Sequence, residues 1–136
     1  MVTDRCTTLG MIVILSWIYT EPMYKLVLIY IIMLDISSHW FQMYAAAALR
    51  QHHKSEETNR KRFFLVRWFY SSYPFFGYCC VGAEFTYIFL YVMAYCSPEN
   101  YNFYYGMLKY FCFPAWALKN IVNVFQLCSA SFAIAE

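Results

Sequence analysis

An all-α bundle of about four membrane-spanning helices is what this sequence predicts, and three observations carry the prediction. Of the 136 residues, 62% are hydrophobic and 13% are charged, about half the charge of an ordinary soluble chain. The apolar residues gather into runs of helical length, separated by short stretches rich in polar residues or proline. The basic residues are unevenly spread, since Arg50, Lys54, Arg60, Lys61 and Arg62 supply half of the ten Lys and Arg. Loops with such a surplus stay on the cytosolic side, so the turns near Glu21 and Glu99 belong on the opposite one. Residues 1–136 therefore read as a single multi-pass membrane domain with the lipid bilayer as its surroundings and no nucleic-acid partner.

The first helix is expected over residues 1–19. It opens on Asp4, Arg5, Thr7 and Thr8 and continues into an apolar run. A secretory signal has a similar outline, but Asp4 is foreign to one, and Thr20, Glu21 and Pro22 form no small-residue cleavage site. Pro22 suits the first turn of a second helix, because its fixed φ is already helical. Residues 26–49 form the body of that helix, and 24 residues at ~1.5 Å each reach ~36 Å, enough to cross a bilayer core with some tilt. Its polar residues are confined to one stripe. Asp35, Ser38, His39 and Gln42 recur at i, i+3, i+4 and i+7, the spacing of a single helical face. A carboxylate and an imidazole at bilayer depth are costly unless they face a bundle interior or a wet cavity, so the stripe is a candidate functional site. The plainer reading is an interhelical hydrogen-bonded pair.

Residues 50–62 are polar throughout and read as a solvated loop, with His52 and His53 as part of it rather than as metal ligands. Residues 63–70 mix Arg67 with Trp68 and several Phe, as interfacial segments do. Ser71, Ser72, Tyr73 and Pro74 offer a cap and a first turn for a third helix over residues 75–95. There Gly77 and Gly82 permit close helix contact, and Glu84 is expected to face inward. Residues 98–102 are expected to return the chain. A last helix then covers residues 106–128 or more, kinked at Pro114, with Lys119, Asn123 and Gln126 on one face and Asn120 beside it. The six cysteines show no Cys-x-x-Cys pairing and read as small buried hydrophobes.

Each of the four helices thus offers polar groups to what reads as one interior. Carboxylates with Lys and Arg in a membrane cavity suit a metal-assisted reaction on an anionic, lipid-linked substrate. They suit a transporter equally well, and the residues alone leave both classes open.

Five stretches carry a resemblance to a known family. Met-Val-Thr-Asp-Arg-Cys-Thr-Thr at 1–8, Leu-Asp-Ile-Ser-Ser-His-Trp at 34–40, Tyr-Ser-Ser-Tyr-Pro at 70–74, Gly-Ala-Glu-Phe-Thr-Tyr at 82–87 and Pro-Ala-Trp-Ala-Leu-Lys-Asn at 114–120 are similar, in order, to the eukaryotic phosphatidylinositol synthases. These are CDP-alcohol phosphatidyltransferases, six-helix membrane enzymes marked by the pattern Asp-x-x-Asp-Gly-x-x-Ala-Arg, then Gly-x-x-x-Asp-x-x-x-Asp. The resemblance implies transfer of a phosphatidyl group from CDP-diacylglycerol to myo-inositol with release of CMP. It also implies Mg2+ or Mn2+ held by the motif aspartates, and an endoplasmic-reticulum membrane; a homodimer is compatible with it. Asp4 matches the last aspartate of the pattern, as a metal ligand and as the base for the inositol hydroxyl. The preceding aspartate would fall just before Met1, so the 136 residues are expected to be a carboxy-terminal part of such an enzyme, inactive by itself. Tyr73 departs from the pattern, where arginine is expected to engage phosphate. Asp35, Ser38, His39, Gln42 and Lys119 are the expected substrate-binding residues, since a hydroxyl-rich substrate needs several directional donors and acceptors. The competing reading is a noncatalytic polytopic protein or a transporter remnant.

Overall fold

The computed structural model describes residues 2–48 and 71–135, and within them all regular structure is helical. The expected loop at 50–62 and interfacial segment at 63–70 lie outside the described residues. Helix α1 covers Val2–Ile18, α2 Pro22–Ala48, α3 Tyr73–Tyr95 and α4 Pro98–Met107; a π-helical turn, Leu108–Cys112, joins α4 to α5, Phe113–Ala135. Two of these helices, at Pro22–Ala45 and Tyr73–Tyr95, are long and apolar enough to cross a membrane. α1 is apolar too, but its 17 residues reach only ~26 Å.

The helix starts follow the prolines. α2 begins at Pro22 as expected, and the Lys25 amide donates to the Glu21 carbonyl at 3.1 Å to close its first turn. At α3, Ser72 holds the extended N-cap backbone and Pro74 sits in the first turn, but the Ser72 side chain makes no capping bond; its carbonyl accepts from the Phe76 amide at 2.9 Å. The return expected at 98–102 is corrected, because those residues are already helical. Ser97 supplies an extended N-cap, Pro98 a preset helical φ, and Glu99 a carboxylate in the first turn where the helix dipole favours one.

Pro114 acts where expected, through a wider turn just ahead of it. A proline removes one amide donor and crowds the carbonyl four residues back, and the π turn relieves both by shifting the hydrogen-bond register. The Phe113 amide reaches the Leu108 carbonyl, and the Tyr78 hydroxyl donates to the Phe111 carbonyl at 2.7 Å.

α5 is the centre of the bundle and packs against both α2 and α3, while α1 lies against the same two helices. Ile12 and Leu15 of α1, Leu28 and Ile31 of α2 and Tyr87 of α3 form the main apolar cluster. Two polar tips are satisfied across helices: Trp116 Nε1 donates to the Tyr87 hydroxyl at 3.0 Å, and the Tyr19 hydroxyl donates to the Leu90 carbonyl at 2.9 Å. The outer faces of α2 and α3 carry exposed Leu26, Ile29, Tyr30, Met33, Phe85 and Ile88, the surface a helix presents to lipid.

Gly82 is where α3 and α5 meet most closely. A methyl group added there would stand 2.5 Å from Cβ of the fully buried Ala115, whereas one added at Gly77 would meet nothing within 4 Å. The expectation of close contact is thus met at Gly82 and not at Gly77. Gly82→Ala is expected to cost about 1–3 kcal/mol through overpacking, with Gly77→Ala as a control inside the same helix. Denaturation of both variants in detergent checks this, and equal stabilities would show that the α3–α5 contact yields freely.

Two expectations are corrected here. Glu84 is exposed rather than inward, because the buried face of α3 is Cys79, Gly82, Ala83, Thr86 and Tyr87, and one step of ~100° beyond Ala83 leaves that face. All six cysteines are free, but only Cys79 and Cys112 are buried; Cys6 and Cys128 are exposed.

Candidate functional site

The polar stripe of α2 points into the bundle, and Asp35 is the group that gathers the others. Its side chain is 5% exposed. Arg5 of α1 donates from one Nη to both carboxylate oxygens, at 3.1 Å to Oδ1 and 3.2 Å to Oδ2. Asn123 of α5 donates its amide to Oδ1 at 3.3 Å. Lys119, one helical turn before Asn123, brings Nζ to 3.9 Å from the same oxygen. Three helices therefore converge on one carboxylate.

Each contributor owes its place to local periodicity. Lys119, Asn123 and Gln126 recur at i, i+4 and i+7, and all three are buried on the inner face of α5. Asp35 and Ser38 are buried on the facing side of α2. Burying charges without partners would cost several kcal/mol apiece, so Arg5 and Lys119 against Asp35 are mutually necessary. Two basic side chains, Arg5 and Lys119, thus share one carboxylate.

His39 and Ser38 are bound first to their own helix. His39 Nδ1 lies 2.8 Å from the Asp35 carbonyl and 3.8 Å from its Oδ1. The Ser38 hydroxyl donates to the same carbonyl at 3.2 Å and lies 3.3 Å from His39 Nδ1. A proton on Nδ1 satisfies that carbonyl and makes Nε2 an acceptor. His39 is half-buried.

The remaining expected residues are distributed as follows. Gln42 is half-buried further along α2, and among the described residues no hydrogen bond joins it to the cluster. Asn120 donates to the Trp116 carbonyl at 2.9 Å, within its own helix. Tyr73 is 84% exposed at the start of α3. Asp4 lies in the first turn of α1, and its side chain is outside the described residues. The pairing of Arg5 and Asn123 with Asp35 was not legible in the sequence. Its only signal was that Arg5 and Asp35 are opposite charges, each too costly to leave alone in apolar surroundings.

Mg2+ and Mn2+ take oxygen donors, and a site built by the protein itself needs several carboxylates. Among the described residues, no group of three His, Cys, Asp or Glu could hold one, and the carboxylate of Asp35 is already engaged by Arg5 and Asn123. The described side chains therefore do not fit a bound Mg2+ or Mn2+.

The chain is similar in sequence to several known proteins. Probable CDP-diacylglycerol–inositol 3-phosphatidyltransferase 2 of Arabidopsis thaliana is 34% identical over 142 residues, covering 96% of this chain and 61% of the relative. CDP-diacylglycerol–inositol 3-phosphatidyltransferase 1 of the same plant is 33% identical, over 96% of this chain and 60% of its own length. The chain is similar to the CDP-diacylglycerol–inositol 3-phosphatidyltransferases. The Candida albicans protein of that name is 32% identical over 100% of this chain and 56% of its own length. The chain thus spans roughly three fifths of the length of the curated relatives it matches. No family model matches, and no solved structure does.

Proposed function

We propose that this chain provides part of a membrane phosphatidyltransferase that makes phosphatidylinositol from CDP-diacylglycerol and myo-inositol. What carries the reading is similarity along 96–100% of the chain to proteins that all bear that enzyme's name. In the proposed reaction an inositol hydroxyl oxygen forms a bond to the phosphorus that carries diacylglycerol. The bond from that phosphorus to the bridging oxygen breaks, and the oxygen leaves with CMP. Asp4 accepts the hydroxyl proton, as a nearby carboxylate can. Mg2+ or Mn2+ would supply charge neutralisation at the pyrophosphate, and Asp4 is the residue proposed to help hold it.

On this reading Ser38, His39, Gln42 and Lys119 receive inositol, with Asp35 organising the face. His39 is the sharpest candidate, because an Nε2 acceptor on a half-buried ring can take a hydrogen bond from a hydroxyl. The protein would be a multi-pass component of the endoplasmic-reticulum membrane.

His39→Ala tests the assignment in the active full-length protein carrying these residues. Loss of one directional bond worth about 1 kcal/mol is expected to raise KM for inositol roughly five- to tenfold. KM for CDP-diacylglycerol should stay unchanged. Unaltered inositol kinetics would leave the stripe with a structural role only.

A further inference from the structure

We infer that Asp35 is a positioning residue, which clasps Arg5 and thereby fixes the first turn of α1, with Asp4, against α2, where Asn123 of α5 holds the same carboxylate. A carboxylate offers about four lone-pair sites. Oδ1 accepts from Arg5 and Asn123 and has Lys119 and His39 within 4 Å, while Oδ2 accepts from Arg5. At 5% exposure this group is spent on the protein, so Asp35 acts on a substrate only through what it holds.

What it holds is adjacent to Asp4. Arg5 is the next residue in α1, so a shift of the helix at Arg5 carries Asp4 with it. The opposite end of α1 is held separately, by Ile12 and Leu15 in the apolar core and by the Tyr19 bond to Leu90. With that end pinned, the charge clasp governs how the amino-terminal end of α1 sits on the bundle. Its partners are well separated in sequence: 30 residues from Arg5 to Asp35 and 88 from Asp35 to Asn123. The consequence for catalysis rests on the role proposed for Asp4, whereas the clasp itself can be tested without any activity.

The exposed native Cys6 on α1 and Cys128 on α5 are suitable sites for a pair of spin labels in the full chain, with Cys79, Cys80, Cys96 and Cys112 replaced by alanine. Double electron–electron resonance in lipid nanodiscs should give one narrow distance distribution. Asp35→Asn keeps the shape and removes the charge, and should broaden that distribution or split it. Asp35→Glu should restore a single narrow peak. A second pair, Cys96 and Cys128, reports the packing of α3 on α5 and should be indifferent to every Asp35 variant. Two outcomes would overturn the inference. One is a Cys6–Cys128 distribution unmoved by Asp35→Asn; the other is equal broadening of both pairs, which would mean general loss of packing rather than release of α1.

Discussion

Asp35→Leu is expected to destabilise the bundle by about 3 kcal/mol or more. Removing one partner of a buried ion pair takes the counter-charge from the other, and Asp35 is a counter-charge to both Arg5 and Lys119. The Arg5 side chain is 19% exposed and that of Lys119 9%, so neither regains full hydration when the carboxylate goes. Asn123 also loses its acceptor. The exposure of Arg5 places the effect toward the low end of the range for fully buried pairs. Arg5→Leu combined with Asp35→Leu should recover part of the loss, because the desolvation cost of both charges goes with them, while Lys119 still lacks its carboxylate. Equilibrium unfolding in mixed detergent, compared across the two single variants and the double, measures the coupling. Strict additivity of the singles would mean that the Arg5–Asp35 contact contributes nothing.

The second large effect concerns activity. Prepared by themselves, the 136 residues are expected to show no phosphatidyl transfer. The family pattern needs four aspartates, and this sequence contains only Asp4 and Asp35. Asp35 is bound to Arg5, and the described residues offer no group of three donors for a metal ion. A two-metal clamp requires carboxylates converging at ~3.5–4 Å metal separation, and Asp4 alone cannot provide it. Membranes from cells without endogenous phosphatidylinositol synthase, given CDP-diacylglycerol, Mn2+ and labelled inositol, should therefore yield no labelled lipid. Joining the chain to a segment that carries the other aspartates of the pattern should yield product, and Asp4→Asn in that longer protein should abolish it. Labelled lipid from the 136 residues alone, lost with Asp4→Asn, would show that other side chains rebuild the metal site. Failure of the longer protein would count against the proposed reaction.

The helices were legible in the sequence because each rests on short-range physics. Apolar runs of spanning length can keep their amides satisfied within lipid only as helices. Pro22 and Pro74 mark helix starts through their fixed φ. The stripe of Asp35, Ser38, His39 and Gln42 could be read from spacing alone, as could the inner face of Lys119, Asn123 and Gln126. The misreadings lie where local signals compete. Residues 98–102 look like a turn because proline and asparagine dominate them, yet Pro98 at the start of a helix is favourable. Glu84 was expected inside because a charge within an apolar helix is costly, but the direction in which it points depends on which face of α3 meets α5. That face was chosen by Gly82 against Ala115.

The residues alone were enough to show that this chain is helical, that its apolar runs suit a bilayer and that Asp35 with Ser38, and Lys119 with Asn123 and Gln126, lie on inner faces, because periodicity and hydrophobicity act over a few residues. Only the tertiary structure decided that Arg5, Lys119 and Asn123 share one carboxylate. Those contacts join residues 30 to 88 positions apart, and their geometry is set by how closely the helices approach, which no local pattern encodes.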